Sequence, residues 1–258
     1  MRFIRKTHYN QDIDLFAHNG QRIWYGLLGF AVLAAPLVLD RFYLGELAQV
    51  YIFAIAGIGL MLLVGYTGLV SLGHAAFLAI GAYAHAYFLN LGWPFPAALA
   101  GATVLSGLVG GLVGVPALRM TGIYLAVATL AFAVIIEQVL SHWVSVTGGF
   151  QGMPVPRAEL LADLGAPVAF YFLCLLALVL SMVVALNILR SPTGRAMVAV
   201  RDSETSARSM GINLAYTKTL AFALSAAFTG LAGGLYSHKI GYLAPDGFTI
   251  ITSIQLLL

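Results

Sequence analysis

Polar and apolar positions in this chain fall in long blocks rather than short periods. Apolar windows lie at roughly 23–39, 47–66, 75–91, 95–115, 122–141, 167–189 and 219–238, and a last one opens near 248. Gly, Pro and charged residues punctuate them. From Leu47 to Leu118 there is no Asp, Glu, Lys or Arg. At about 1.5 Å per residue that length, wound into helix, crosses a roughly 30 Å hydrocarbon layer more than three times. The windows lack the alternation and ~10-residue length of barrel strands. The pattern predicts an all-α polytopic membrane protein, a bundle of about eight transmembrane helices, some of them discontinuous. Residues 1–22 form a polar N-terminal segment and 23–258 the transmembrane domain. The run FTIITSIQLLL ends at Leu258, and a helix opening at Phe248 reaches only about 16 Å by then. The expectation is a chain truncated here, or a final segment that only dips into the membrane.

One polar island interrupts the later windows. Residues 190–218 carry Arg190, Arg195, Arg201, Arg208 and Lys218 with Asp202 and Glu204, whereas 164–189 and 219–238 hold no charged residue. Ser191-Pro192 reads as a helix start, with Ser as cap and Pro at the first helical position. Asp202 or Ser203 can cap a second short helix, ETSARSM, which Gly211 ends. Asp202 and Glu204 at its start and Arg208 near its end match the helix dipole. Such a shape can enter a groove on another protein, or it can be a self-stabilised polar loop.

Charge fixes the orientation. With the N-terminus in the cytoplasm, the inner loops hold Arg2, Arg5, Lys6, Arg22, Arg119, Arg190, Arg195, Arg201, Arg208 and Lys218, and the outer loops hold Arg41, Arg157 and Lys239. The positive-inside rule therefore places the island in the cytoplasm. Sixty per cent hydrophobic residues, 9% charged and a mean hydropathy of +0.92 exclude a soluble globular domain. The net charge of +3 needs no nucleic-acid partner. The single Cys174 excludes a disulfide framework. The N-terminal segment lacks the apolar core of a cleavable signal peptide.

Four further signals carry candidate chemistry. In GYTGLVSLGHAAFLAIGAYA, Thr67, Gly68, Ser71, Gly73 and His74 break two apolar runs. Such breaks occur in membranes where backbone faces protein or water, as along a translocation path, and an ordinary inter-helix turn has the same composition. Glu137 lies near the outer end of its window, either as a functional intramembrane carboxylate or as a group reaching the interface. Small residues at four-residue spacing, such as Gly107/Gly111 and Gly230/Gly234, predict close helix packing in the bundle or at a helix–helix dimer face. His85 and His238 read as lone packed histidines without metal-ligand spacing. The loop 142–166, rich in Gly and Pro, is the longest external connection. There is no P-loop, HExxH, CxxC or GxSxG motif, so no catalytic residue, metal site or cofactor is assigned.

GYTGLVSLGHAAFLAIGAYA, TGIYLAVATLAF, TGGFQGMP, SPTGRAMVAVRDSETSARSMGIN and KTLAFALSAAFTGLAGGLY together resemble the permease subunits of ABC importers for branched-chain amino acids, most closely the LivM-type half of the pair. The resemblance runs from about Tyr43 to Leu258. It implies a non-enzymatic transport subunit of the bacterial inner membrane, surrounded by lipid. Its implied partners are a homologous sister permease, two ATP-binding cassette ATPase subunits and an external solute-binding protein. It makes residues 190–218 the cytoplasmic coupling loop, with Gly194, Arg195, Arg201, Asp202, Glu204, Ala207, Arg208 and Gly211 as ATPase-coupling residues. Ala207 and Gly211 keep the spacing of the importers' EAA-then-Gly signature, and Thr205 and Ser206 depart from it. Thr67, Ser71, His74 and Glu137 become candidates for the translocation path. A urea or short-amide permease of the same family is the alternative. A gradient-driven secondary transporter would need intramembrane charge pairs, and only Glu137 offers itself.

Overall fold

The computed structural model describes residues 19–117, 120, 122–156 and 166–257. Contacts divide the chain into two units, Met1–Leu44 and Gly45–Leu258. In the first, helix α1 (Asn19–Val38) is apolar from Ile23 to Val38. Helix α2 (Arg41–Leu60) begins there and runs on into the second unit.

In the second unit α2 continues as a π-helix, Met61–Tyr66. Then follow α3 (His74–Asn90), α4 (Phe95–Ala117), α5 (Ile123–His142) and the single turn α6 (Val144–Thr147). Beyond them come α7 (Ala166–Arg190), α8 (Pro192–Asp202), α9 (Glu204–Ser209), α10 (Leu214–Ile240) and α11 (Ile250–Leu257). Every apolar window is helical. Among the described residues five helices are long and apolar enough to cross a membrane: Arg41–Tyr66, Phe95–Pro116, Ile123–His142, Pro167–Arg190 and Leu214–Ile240. This is an all-α, multi-pass architecture. The expected count of about eight goes beyond those five: α1 is apolar over Ile23–Val38 only, α3 has 17 residues and α11 has eight.

Helix α3 is short, at 17 residues, and nearly every residue from His74 to Ala86 is buried. A helix apolar on all sides needs protein on all sides, and α4 and α10 supply most of it. The small residues explain how. A Cβ on Gly81 would stand 2.2 Å from the Gly230 carbonyl oxygen, and one on Gly233 would stand 2.1 Å from that of Leu78. On α4, a Cβ at Gly110 would meet the Ala226 methyl at 2.2 Å, and Gly107 and Gly111 face Ala227 and Ala223. The Ser106 hydroxyl is 2.8 Å from the Ala226 carbonyl and 3.2 Å from that of Phe77, stitching α4 to both neighbours. The small-residue stripes are thus used inside the chain, where bare backbone lets three helices approach.

At the opposite end from the polar island, the 142–156 connection is folded against the turn after α10. Strand β1 (Met153–Pro154) pairs antiparallel with β2 (Tyr242–Leu243), Met153 opposite Leu243 and Pro154 opposite Tyr242. Lys239 reaches Gln49 and, at 3.1 Å, Glu46, tying α10 to α2.

Gly81→Ala should therefore destabilise the protein by about 1–3 kcal/mol, the ordinary cost of overpacking. Gly57→Ala, where no atom lies within 4 Å of the added methyl, should be neutral or slightly stabilising. Thermal unfolding of the purified protein in detergent reads both, and equal melting temperatures would contradict the backbone contact.

Candidate functional site

Between Tyr66 and His74 the helical hydrogen-bond ladder stops, and each exposed backbone group must find another partner in a low-dielectric setting. Side chains from four directions meet the need. The Thr67 hydroxyl donates to the Leu62 carbonyl at 3.0 Å. The Leu72 amide donates to Thr129 Oγ1 on α5 at 3.0 Å, and the Ala75 amide to Ser253 Oγ on α11 at 2.9 Å. Ser71 Oγ accepts from the Gly73 amide at 3.3 Å. Gly68 turns the chain at φ +73°, a left-handed conformation that suits glycine. Gly73 passes so close to α5 that a Cβ there would lie 2.5 Å from the Thr129 carbonyl oxygen. His74, the first residue of α3, is buried, and its Nε2 pairs with Ser225 Oγ on α10 at 2.8 Å. Its Nδ1 has no hydrogen-bond partner among the described residues.

The polar island folds as two short helices against this break. Ser191 caps α8, accepting from the Gly194 amide, with Pro192 at the first helical position. Gly194 packs on the end of α7, where a Cβ would meet the Leu189 carbonyl oxygen at 2.3 Å. Met197 of α8 enters a buried cluster with Leu63 of the π-helix, Leu69 of the break, Leu125 of α5, and Ala221 and Phe222 of α10. Ser203, not Asp202, caps α9 through the Ser206 amide at 3.3 Å, and Ala207 is buried beneath it. Gly211 follows at φ +85°, with no atom within 4 Å of an added Cβ.

Charges bind the island to its neighbours. Arg201 Nη1 donates to the Gly65 carbonyl at 2.9 Å, while its Nε and Nη2 both bond Asp202 Oδ1, at 3.2 and 3.1 Å. Glu204 pairs at 2.8 Å with Lys218 Nζ near the start of α10. Lys218 is only 2% exposed, and a buried ammonium is tolerated when a carboxylate meets it. Arg195, Arg208 and Gly211 stay exposed, as does Met210, at 80%.

The coupling candidates from the sequence thus divide. Gly194, Arg201, Glu204 and Ala207 turn toward the membrane helices, while Arg195, Asp202, Arg208 and Gly211 remain at the surface. Thr67, Ser71 and His74 do gather at one break. Glu137 does not join them: it is half-buried on α5, eight residues beyond Thr129, or about 12 Å along the helix. The reading of His85 and His238 as lone histidines is corrected. Their Nε2 atoms are 3.0 Å apart, bridging α3 and α10 beside Phe95. A pair 153 residues apart in sequence leaves no local spacing signal. Thr129, Ser225 and Ser253 also escaped the sequence reading, although each is a hydroxyl within an apolar stretch. No cluster of three metal-ligating side chains occurs among the described residues.

Thr129→Val removes the acceptor for the Leu72 amide and should cost about 1–3 kcal/mol, the penalty for a buried unpaired amide. Thr103→Val, where the hydroxyl only back-bonds its own helix at Leu99, should cost far less. Thermal unfolding, with hydrogen exchange read at Leu72, checks the difference, and equal losses would contradict the assignment.

Comparison with known proteins gives the family. Residues 42–258 match the family model described as branched-chain amino acid transport system / permease component. The chain is 34% identical to the high-affinity branched-chain amino acid transport system permease protein LivM of Salmonella typhimurium over 265 residues, covering 92% of this chain. It is 33% identical to LivM of Escherichia coli over the same share. The autoinducer 2 import system permease protein LsrC of Salmonella paratyphi B is 28% identical over 81% of this chain and 60% of its own length. The chain spans 62% of the length of the LivM proteins it matches. No solved structure matches it. A multi-pass helical chain with this matched region belongs to the branched-chain amino acid transport system permease family.

Proposed function

We propose that this chain is a membrane-spanning permease subunit of an ABC importer in the bacterial inner membrane, with its N-terminus in the cytoplasm. It moves branched-chain amino acids using energy from partner ATPases. One observation supports this most: two capped helices, α8 and α9, seated against the helix break and the ends of α7 and α10. The sequence also has no nucleotide-binding motif of its own.

The substrate class rests on the family description and the greater identity to LivM, 34% against 28% for LsrC. The exposed surface of the insert, Arg195, Asp202, Arg208, Met210 and Gly211, is where one ATPase docks, and a second docks on a sister permease. An external solute-binding protein delivers substrate to the opposite face, near the paired β1 and β2. Thr67, Ser71 and His74 line the translocation path, because they sit where the helix is discontinuous and half-helix ends meet polar side chains. Alternating access then consists of a rearrangement at this break, driven through the insert.

Gly211→Val tests the docking surface. No atom lies within 4 Å of an added Cβ, but φ of +85° strains a β-branched residue. The α9–α10 turn should reshape without loss of the membrane helices. ATPase co-purification, or substrate-stimulated hydrolysis in the assembled complex, should fall about fivefold or more, an ordinary coupling magnitude. Full retention of both would refute the docking role.

A further inference from the structure

We infer that Arg201 is the positioning residue through which the insert holds the break in α2, and that it faces the permease rather than the ATPase. The inference rests on the importer reading above. Three features converge on it. First, the guanidinium offers donors in a rigid fork, and Asp202 takes those on Nε and Nη2. That fixes the plane and leaves Nη1 aimed at the Gly65 carbonyl, 2.9 Å away. Second, Gly65 lies at the end of the π-helix, where carbonyls lack ladder partners and the helix end is negative. A cation supplied from 136 residues further along the chain completes that end. Third, the stem of Arg201 lies over Gly68, where a Cβ would come 3.0 Å from Arg201 Cγ. The contact therefore has a polar and a steric half, on opposite sides of Tyr66 and Thr67.

The insert has a second attachment of different character. Glu204 and Lys218 join α9 to α10 with the ammonium buried. The Arg201 side chain is 44% exposed, and its link to the break is one hydrogen bond plus a packing contact. The buried pair is the anchor, and the Arg201 contact is the yielding joint. π-helical turns are themselves a poised geometry, frequent at functional sites. Release of Gly65 lets the end of α2 change its winding without unseating α9 from α10.

The test uses the full chain assembled with its sister permease and ATPases. Cys174→Ser removes the single native cysteine, and Val70→Cys places a probe in the break, at a partly exposed position. The labelling rate with a membrane-impermeant maleimide is compared without nucleotide and after vanadate trapping. With Arg201 present, the two rates should differ about fivefold or more. Arg201→Gln, too short and uncharged, should abolish the difference while the ATPases still co-purify. Arg201→Lys, which keeps one charged donor, should retain part of it. An unchanged response in Arg201→Gln overturns the inference alone. So does loss of ATPase co-purification in Arg201→Gln with melting temperature preserved, because the residue would then belong to the docking surface. Should Arg201→Gln not accumulate as folded protein, the Lys variant decides: a response reduced below the parent's, with ATPases bound and melting unchanged, supports the inference, and a full response overturns it. If no ATPase joins the parent complex, the importer reading itself fails and the inference falls with it.

Discussion

The constraint on which the rest depends is that buried backbone amides and carbonyls must be paired. A continuous helix meets it without help. This chain breaks a helix between Tyr66 and His74, where hydroxyls from α5 and α11 and a guanidinium from the island pair backbone groups, and an imidazole–hydroxyl pair ties His74 to α10. Each contributor is held by its own element, so the break fixes the placement of α5, α10, α11 and the insert around it.

The helices were legible because window length and charge punctuation are governed by the same hydrocarbon thickness and desolvation cost that govern the fold. The caps of the island were legible too, since Ser191-Pro192 and Ser203 act on amides within three residues. Illegible were the long-range pairs. Nothing near Arg201 points to Gly65, nothing near Lys218 marks it as buried, and His85 and His238 look solitary until α3 and α10 are packed. Sequence spacing reports local partners, whereas these bonds are set by which helix faces meet.

The division of the island into inward and outward residues bears on how family signatures are read. Ala207, which keeps the spacing of the importer signature, is buried beneath α9, whereas Thr205 and Ser206, which depart from it, are exposed. Burial limits the size of the residue at 207, while the exposed side chains at 205 and 206 have room to vary. A signature retained on the buried side and lost on the open side is therefore consistent with a preserved local fold.

The glycine-to-backbone seams among α3, α4 and α10 have a mechanical consequence. Side-chain interfaces can creep, because rotamers reshuffle as one helix slides past another. A seam in which Gly81 lies on the Gly230 carbonyl and Gly233 on that of Leu78 has no rotamers to spend. It is either seated or parted. The three helices therefore pack as a single block, and side-chain interfaces that can slide are left to contacts outside these seams.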